Sequence, residues 1–303
     1  MSTRFARFRN QSPSDKIFTA TLAVVCVAIL VAIIYPVYFV LIASVSEPRL
    51  VSTGQVILFP EGINFFGYAQ VLDDDRIWTG YRNTIIYAVV GTALNRLVTL
   101  PAAYALSRPE FRPRRFLMLF FAFTMFFNGG LIPTYLLYRD LGLIDNWLVF
   151  ILPGAINVYN LIIARAFFEN SLPNELYEAA MLDGLNHFQY FLRVALPLSK
   201  AIISVIGLYY LVARWNDFFT GLVFVRTYDK QPLMIVLRDI LLQNQAFAGG
   251  AGTAGGTGGA YGQDYADQIK YAVIVVATLP VIIVYPFIQK YFEKGVMIGS
   301  VKG

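Results

Sequence analysis

The sequence predicts an all-α polytopic membrane protein. It has six transmembrane helices, both termini in the cytoplasm, and a pair of short cytoplasmic helices between spans four and five. Three observations predict it. Of 303 residues, 57% are hydrophobic and only 14% charged, against about 25% charge in an ordinary soluble domain. Six apolar runs are each long enough to cross about 30 Å of hydrocarbon. Between the fourth and fifth lies Glu178-Ala179-Ala180-x-x-x-Gly184, followed after nine residues by Val194-x-Leu196-Pro197. That segment reads as helix, glycine turn, helix, and then a proline opening the next span.

The runs cover 17–43, 83–106, 115–137, 147–168, 200–225 and 271–289. Arg4, Arg7, Arg9 and Lys16 precede the first, as in a signal peptide. The run is far longer than the apolar region of a signal, and no small-residue cleavage site interrupts it early, so it reads as a retained span. Residues 1–16 then form a cytoplasmic tail. Pro36, Pro133, Pro153 and Pro280 lie inside or at the ends of runs, breaks that membrane helices tolerate where neighbours satisfy the freed carbonyls.

Lys and Arg set the orientation. With the N-terminus inside, the inner segments hold Arg4, Arg7, Arg9, Lys16, Arg108, Arg112, Arg114, Arg115, Arg165, Arg193, Lys200, Lys290, Lys294 and Lys302. The longer outer segments hold fewer: Arg49, Arg76, Arg82, Arg139, Arg226, Lys230, Arg238 and Lys270. The positive-inside rule therefore places both termini and the Glu178 segment in the cytoplasm. The outer loop 44–82 carries aromatic and acidic residues, including Asp73, Asp74 and Asp75, and is expected to fold on the outer face. The outer loop 226–270 contains a stretch, 248–262, made almost wholly of Gly, Ala and Thr. Such a stretch reads as a flexible tip, either a passive insertion or a contact for an extracytoplasmic partner.

The Glu178 segment (169–199) has no packing role inside a bilayer, so it is read as a docking element for a soluble partner. Ala179 and Ala180 are small enough to let a helix sit deep in a groove, and Gly184 supplies a turn where a Cβ is costly. Leu185, Phe188 and Leu192 give the second helix an apolar face. The competing reading is an amphipathic hairpin lying on lipid. His187 reads as a polar residue of the hairpin surface.

Polar residues inside the runs are the second signal, because a charge at mid-membrane costs about 2.5–3.5 kcal/mol on insertion scales. Arg96 lies beside Asn95 in the second run; Arg214 and Asp217 flank Trp215 and Asn216 in the fifth. Arg214 and Asp217 stand three apart and can meet on one helix face. They form either a self-satisfied pair or, with Asn216, the lining of a hydrated path. In that path Arg214 or Arg82 could meet a sugar carboxylate. Tyr159 and Asn160 in the fourth run and Asn128 in the third offer the amides and flat ring that a sugar needs. Such residues equally glue helices together.

The lone Cys26 and lone His187 exclude a disulfide framework and a Cys- or His-based metal site. The runs contain no Ser/Lys dyad, His-Glu cluster or paired-aspartate site of an intramembrane enzyme. A secondary transporter would need coupling carboxylates and usually an internal repeat, and Asp217 is the only well-placed candidate. No Gly-x-x-x-x-Gly-Lys-Ser/Thr loop is present, so the chain does not itself hydrolyse ATP. Nothing points to nucleic acid.

The 178–197 segment matches the coupling loop of the membrane subunits of bacterial ABC importers. Ala102-Ala103-Tyr104-Ala105-Leu106-Ser107-Arg108 resembles the end of the second span in carbohydrate-type permeases. Trp215-Asn216-Asp217-Phe218 resembles their fifth-span motif, and Gly299-Ser300-Val301-Lys302-Gly303 their C-terminal tail. The resemblance runs from about Arg82 to the end. Gly129-Gly130-Leu131-Ile132-Pro133-Thr134-Tyr135 and the run from Lys294 to Gly299 look most like the subgroup importing oligouronates such as alginate or aldouronate fragments. The glycine-rich insert departs from the family pattern.

The resemblance implies a permease core over 83–289 and a tail over 290–303, in the bacterial inner membrane. It further implies coupling contacts from Glu178, Ala179, Ala180, Asp183, Gly184, Leu185, Phe188 and Pro197 to a cytoplasmic ATPase. Gly299 and Lys302 of the tail would run along the same partner. The expected partners are a second homologous permease subunit, two copies of the ATPase, which bind ATP and Mg, an extracytoplasmic solute-binding protein, and membrane lipid. No cofactor is expected in this chain. The implied cargo is an oligosaccharide, with a neutral sugar as the alternative.

Overall fold

The structure, a computed structural model, describes residues 13–248 and 260–296. The tail residues Gly299 and Lys302 and most of the glycine-rich stretch lie outside the described residues. Among the described residues every regular element is helical. The principal helices are α1 (Pro13–Ser44), α2 (Pro48–Ser52), α3 (Phe66–Leu72), α4 (Asp75–Ser107), α5 (Arg114–Phe126), α6 (Leu131–Asp140), α7 (Val158–Ser171), α8 (Asn174–Leu182) and α9 (His187–Tyr190). They continue with α10 (Lys200–Trp215), α11 (Phe219–Phe224), α12 (Leu233–Ala248) and α13 (Ala260–Val296). The chain divides into two compact units. One takes in the described residues up to Val71 with Leu241–Val276; the other takes in Leu72–Ile240 and the described residues from Ala277.

In the first unit, α1 presents Ile17, Phe18, Val24, Val27 and Ile33 outward, each more than half exposed, as a helix surrounded by lipid does. Tyr35 and Tyr38 donate hydroxyl hydrogen bonds to the carbonyls of Ile57 and Leu58, which pins the following loop against the helix. Gln268 of α13 is 1% exposed, and its amide donates to the carbonyls of Ser46 and Asn64 at 3.0 Å each. The loop expected to fold at 44–82 is thus held by a buried side chain from far along the chain.

The second unit is built on α4, α7 and α10. Asp74 caps α4 by accepting the Arg76 amide at 2.9 Å, so the helix begins at Asp75 rather than at the expected position 83. Its core joins Leu100, Ala103 and Tyr104 of α4 to Leu161, Ala164 and Phe168 of α7 and Ile202, Ile206 and Tyr210 of α10. Two glycines allow the closest approach. A Cβ on Gly91 of α4 would lie 3.2 Å from Arg214 Nε of α10, and one on Gly207 of α10 would collide with the Arg96 guanidinium of α4. The helices run antiparallel, so each lays an arginine across the other's glycine.

Three expected spans are not single helices. The 115–137 run breaks at 127–130, where Gly130 has φ +89°, and α5 and α6 meet at 114°. The 147–168 run is a 3₁₀ turn at Trp147–Phe150, an irregular stretch and then α7. The 200–225 run stops at Trp215 and resumes as α11. Among the described residues, three helices are long and apolar enough to cross a membrane alone, and up to five spans result if each bent pair counts as one. Gly, Pro and Asn at the breaks are visible in sequence, but hydropathy averages across them.

The expected outer loop 226–270 begins with ordered structure ahead of its glycine-rich stretch. Asn83 donates to the carbonyls of Asp229 and Gln231, Tyr87 to that of Lys230, and Thr84 accepts the Leu233 amide. These bonds seat the start of α12 on α4. Asp145, at φ 53°, fastens the same region. Its carboxylate accepts from the Thr227 hydroxyl at 2.6 Å, the Thr227 amide at 2.9 Å and the Arg226 amide at 3.1 Å, with Lys230 Nζ at 3.6 Å. Chiefly the Thr227 bonds hold its pKa down to about 2. A depressed folded pKa means that this clasp stabilises fully above about pH 4, the ordinary carboxylate range, and fades as pH falls toward 2. Asp145→Asn should therefore lower the melting temperature near pH 6, and the gap to wild type should close near pH 2. An equal gap at both would refute the clasp.

Candidate functional site: a docking hairpin and a polar seam

The hairpin expected at 169–199 forms from local signals. α8 ends at Leu182, and Gly184 turns the chain at φ +79°, a conformation that penalises any residue with a Cβ. Asn186 and Gln189 then make a reciprocal capping box that starts α9. The chain continues through a π-helical turn, Phe191–Ala195, and a short helix at Leu196–Leu198. Helix α10 leaves at 83° to this segment. Pro197 therefore sits at the bend, one turn before the membrane helix, rather than at its first position.

The inner face of the hairpin is aromatic. Tyr177, Ala180, Tyr190, Phe191 and Ala195 are buried with the α4 and α7 core. Tyr177 packs edge-on against Tyr190, and its hydroxyl shares a 2.8 Å hydrogen bond with His187 Nδ1. His187 is thus tied to the hairpin's own core. Burial, with the Glu110 carboxylate adding, raises the Tyr177 hydroxyl pKa, against the pull of Arg108. The outer face carries Glu178, Ala179, Asp183 and Gly184 in the open. Leu182 is 89% and Phe188 69% exposed, with Leu192 beside them at 45%. Leu185 instead packs inward against the core. Leu182, which sequence reasoning missed, takes the outward place expected for Leu185. At a turn, helical periodicity restarts and assigns faces badly.

The polar residues of the spans gather at the irregular stretch after Phe150. Backbone without helical pairing survives at membrane depth only if something else satisfies it. Here Arg214 Nη2 donates to the carbonyls of Pro153 at 2.9 Å and Ile151 at 3.3 Å. Asn95, 0% exposed, donates to Gly154 and Ala155 at 2.8 Å each. The Tyr210 hydroxyl accepts the Asn157 amide and pairs with Thr99, while Asn157 caps α7 through the Asn160 amide. Side chains from α4 and α10 thereby replace the missing helix of the fourth run.

This arrangement reassigns several expected residues. Among the described residues no ion pair joins Arg214 to Asp217; the Asp217 carboxylate accepts the Thr220 amide at the start of α11. Trp215 is 5% exposed and its indole donates to the Ala277 carbonyl, so it packs the break between α10 and α11. Asn216 donates back to the Val212 carbonyl of its own helix. Asn128 accepts the Gly130 amide and shapes the bend between α5 and α6. Asn160 is buried, whereas Tyr159, at 59% exposure, and Arg82 face outward. Among the described residues, these candidates bond to backbone, are buried or face outward, each in its own setting. The residues that do converge, Asn95, Thr99, Tyr210 and Arg214, were only partly legible, because their partners lie far along the chain: backbone carbonyls for Asn95 and Arg214, a backbone amide for Tyr210, and Tyr210 itself for Thr99.

A helix of membrane length, α4, meeting α10 across a polar seam, with an exposed helical hairpin packed on its end, fits a membrane transport subunit. Residues 77–298 match the family described as the binding-protein-dependent transport system inner membrane component, and the chain belongs to that family. It is accordingly a multi-pass inner-membrane permease subunit. A similar protein is the polygalacturonan/rhamnogalacturonan transport system permease protein YtcP of Bacillus subtilis (strain 168). It is 38% identical over 287 residues, 94% of this chain and 96% of the relative. Protein LplC of the same organism is 39% identical over 273 residues, covering 89% and 90% of the two chains. A solved chain from a bacterial ABC transporter involved in import of the acidic polysaccharide alginate superposes with a TM-score of 0.81 at 38% identity. The match covers 93% of this chain and 99% of that one.

Proposed function

We propose that this chain is one of two homologous permease subunits in an ATP-driven, binding-protein-dependent importer of oligosaccharides, and that its cargo is acidic. Both termini and the 174–198 hairpin face the cytoplasm. The hairpin docks into a groove on an ATPase, which binds ATP and Mg and is present in two copies. An extracytoplasmic binding protein delivers the oligosaccharide to the opposite side. The observation that carries this reading is the hairpin itself: an aromatic inner face anchors it, and Leu182 and Phe188 stand exposed beside Glu178 and the Gly184 turn. Apolar side chains on a rigid, anchored hairpin fit a helix-in-groove contact. The acidic cargo is supported by the likeness to an alginate importer and to a polygalacturonan permease. Arg214 spends Nη2 on the broken span, so of the two cations expected to meet a carboxylate, the exposed Arg82 is the freer candidate.

Two measurements test this. Gly184→Pro puts φ near −65° where the turn needs +79°, and Glu178→Arg reverses charge on the exposed face. Both variants should insert normally, yet lose co-purified ATPase and at least tenfold of the uptake rate. Normal uptake by both would end the docking reading. For the cargo, ATP hydrolysis by the reconstituted complex should rise with oligouronates and their binding protein. Carboxyl-reduced versions of the same sugars should fail to stimulate it. Equal stimulation would favour a neutral sugar.

A further inference from the structure

Arg108 ends α4, where the backbone turns extended at φ −81°, ψ 131°. It is a charged residue with only 7% exposure, and its Nε and Nη2 are buried without a hydrogen-bond partner. Its guanidinium carbon lies over three tyrosine rings: 4.7 Å from the centroid of Tyr177, 4.9 Å from that of Tyr104 and 5.1 Å from that of Tyr190. Those rings belong to α8, α4 and α9, so one cation touches both arms of the hairpin and the helix that carries Asn95 and Arg96. A cleft of about 270 Å³ lined by Arg108, Glu110, Phe111 and His187 opens beside it.

We propose that Arg108 is the positioning residue that carries displacement of the docking hairpin into α4, an inference that rests on the docking reading above. Attraction between a guanidinium and aromatic faces comes from the ring quadrupole and is broad in angle. It survives sliding by an ångström, where a hydrogen-bonded ion pair would break. The unpartnered Nε and Nη2 fit such a joint: the guanidinium is confined chiefly by ring faces. The adjoining cleft leaves room for the rings to shift around it. From this end α4 runs back to Asn95, Arg96 and Gly91, the residues that meet α10 and the broken fourth span. Movement of the hairpin thus has a continuous path to the polar seam.

The test uses the whole complex, with its ATPase and binding protein, in proteoliposomes, and reads solute transported per ATP hydrolysed. Arg108→Met keeps length and removes the cation. It should assemble with a full complement of ATPase and hydrolyse ATP, while transport per ATP falls at least fivefold. Arg108→Lys, which keeps a cation in the cage, should recover the ratio to within twofold of wild type. Tyr177→Leu, which removes one wall, should lower the ratio as well and serves if Arg108→Met fails to assemble. An unchanged ratio in Arg108→Met or Tyr177→Leu overturns the proposal, and so does a ratio in Arg108→Lys as low as in Arg108→Met. If the docking reading itself is wrong, Glu178→Arg and Gly184→Pro transport normally. If only this joint is wrong, those two fail while the Arg108 variants couple normally.

Discussion

Arg214→Met is expected to destabilise the protein severely, and adding Asp217→Leu is expected not to rescue it. The methionine keeps the side-chain volume but strands the carbonyls of Ile151 and Pro153, which take Arg214 Nη2 at 3.3 and 2.9 Å. A buried acceptor left unpaired costs about 1–3 kcal/mol, and the lack of competing water at membrane depth favours the upper end. The loss should appear as a fall in melting temperature of the detergent-purified protein and as reduced yield of assembled complex. If Arg214 chiefly neutralised Asp217, matched removal would restore stability, since no orphan charge remains. The geometry says otherwise, because Asp217 is engaged with the Thr220 amide. Recovery of the double variant to wild-type melting would show that the pair outweighs the carbonyl contacts.

Gly207→Ala should be nearly as damaging, and Arg96→Met should repair it. A methyl group at position 207 collides with the Arg96 guanidinium that crosses the helix there. The guanidinium must then leave the contact between α4 and α10, and the helices separate or the arginine is expelled toward lipid at the cost of an intramembrane charge. Arg96 Nε is buried without a partner, so Arg96→Met alone forfeits no bond at that atom and should be mild. In the double variant the slimmer methionine passes over the alanine. The two changes should therefore couple by about 1–3 kcal/mol in a double-mutant cycle on thermal stability. Additive losses would show that Gly207 is small for a reason other than Arg96.

The hairpin was the most legible feature because its signals are local. Gly184 alone sets the turn, as read; the Asn186–Gln189 cap, equally local, is added by the structure. The substrate path was the least legible. Asn128, Asn216 and Asp217 looked like lining groups, yet each bonds backbone within four residues of itself. Trp215, drawn from the same motif, donates to a carbonyl 62 positions away. A polar side chain in an apolar run announces that something must be satisfied, without saying whether that is cargo or backbone.

The membrane class, the helical content and the hairpin with its glycine turn were thus legible in the chain before any fold was known. Run length, charge distribution and short-range capping are properties of contiguous residues. Tertiary structure alone decided that the fourth run is broken, that Arg214 and Asn95 serve its carbonyls, and that Arg108 lies among three tyrosines. The physical reason is that Arg214 and Asn95 find their partners about sixty residues away. Inside a membrane such distant groups, in place of water, decide what each polar atom does.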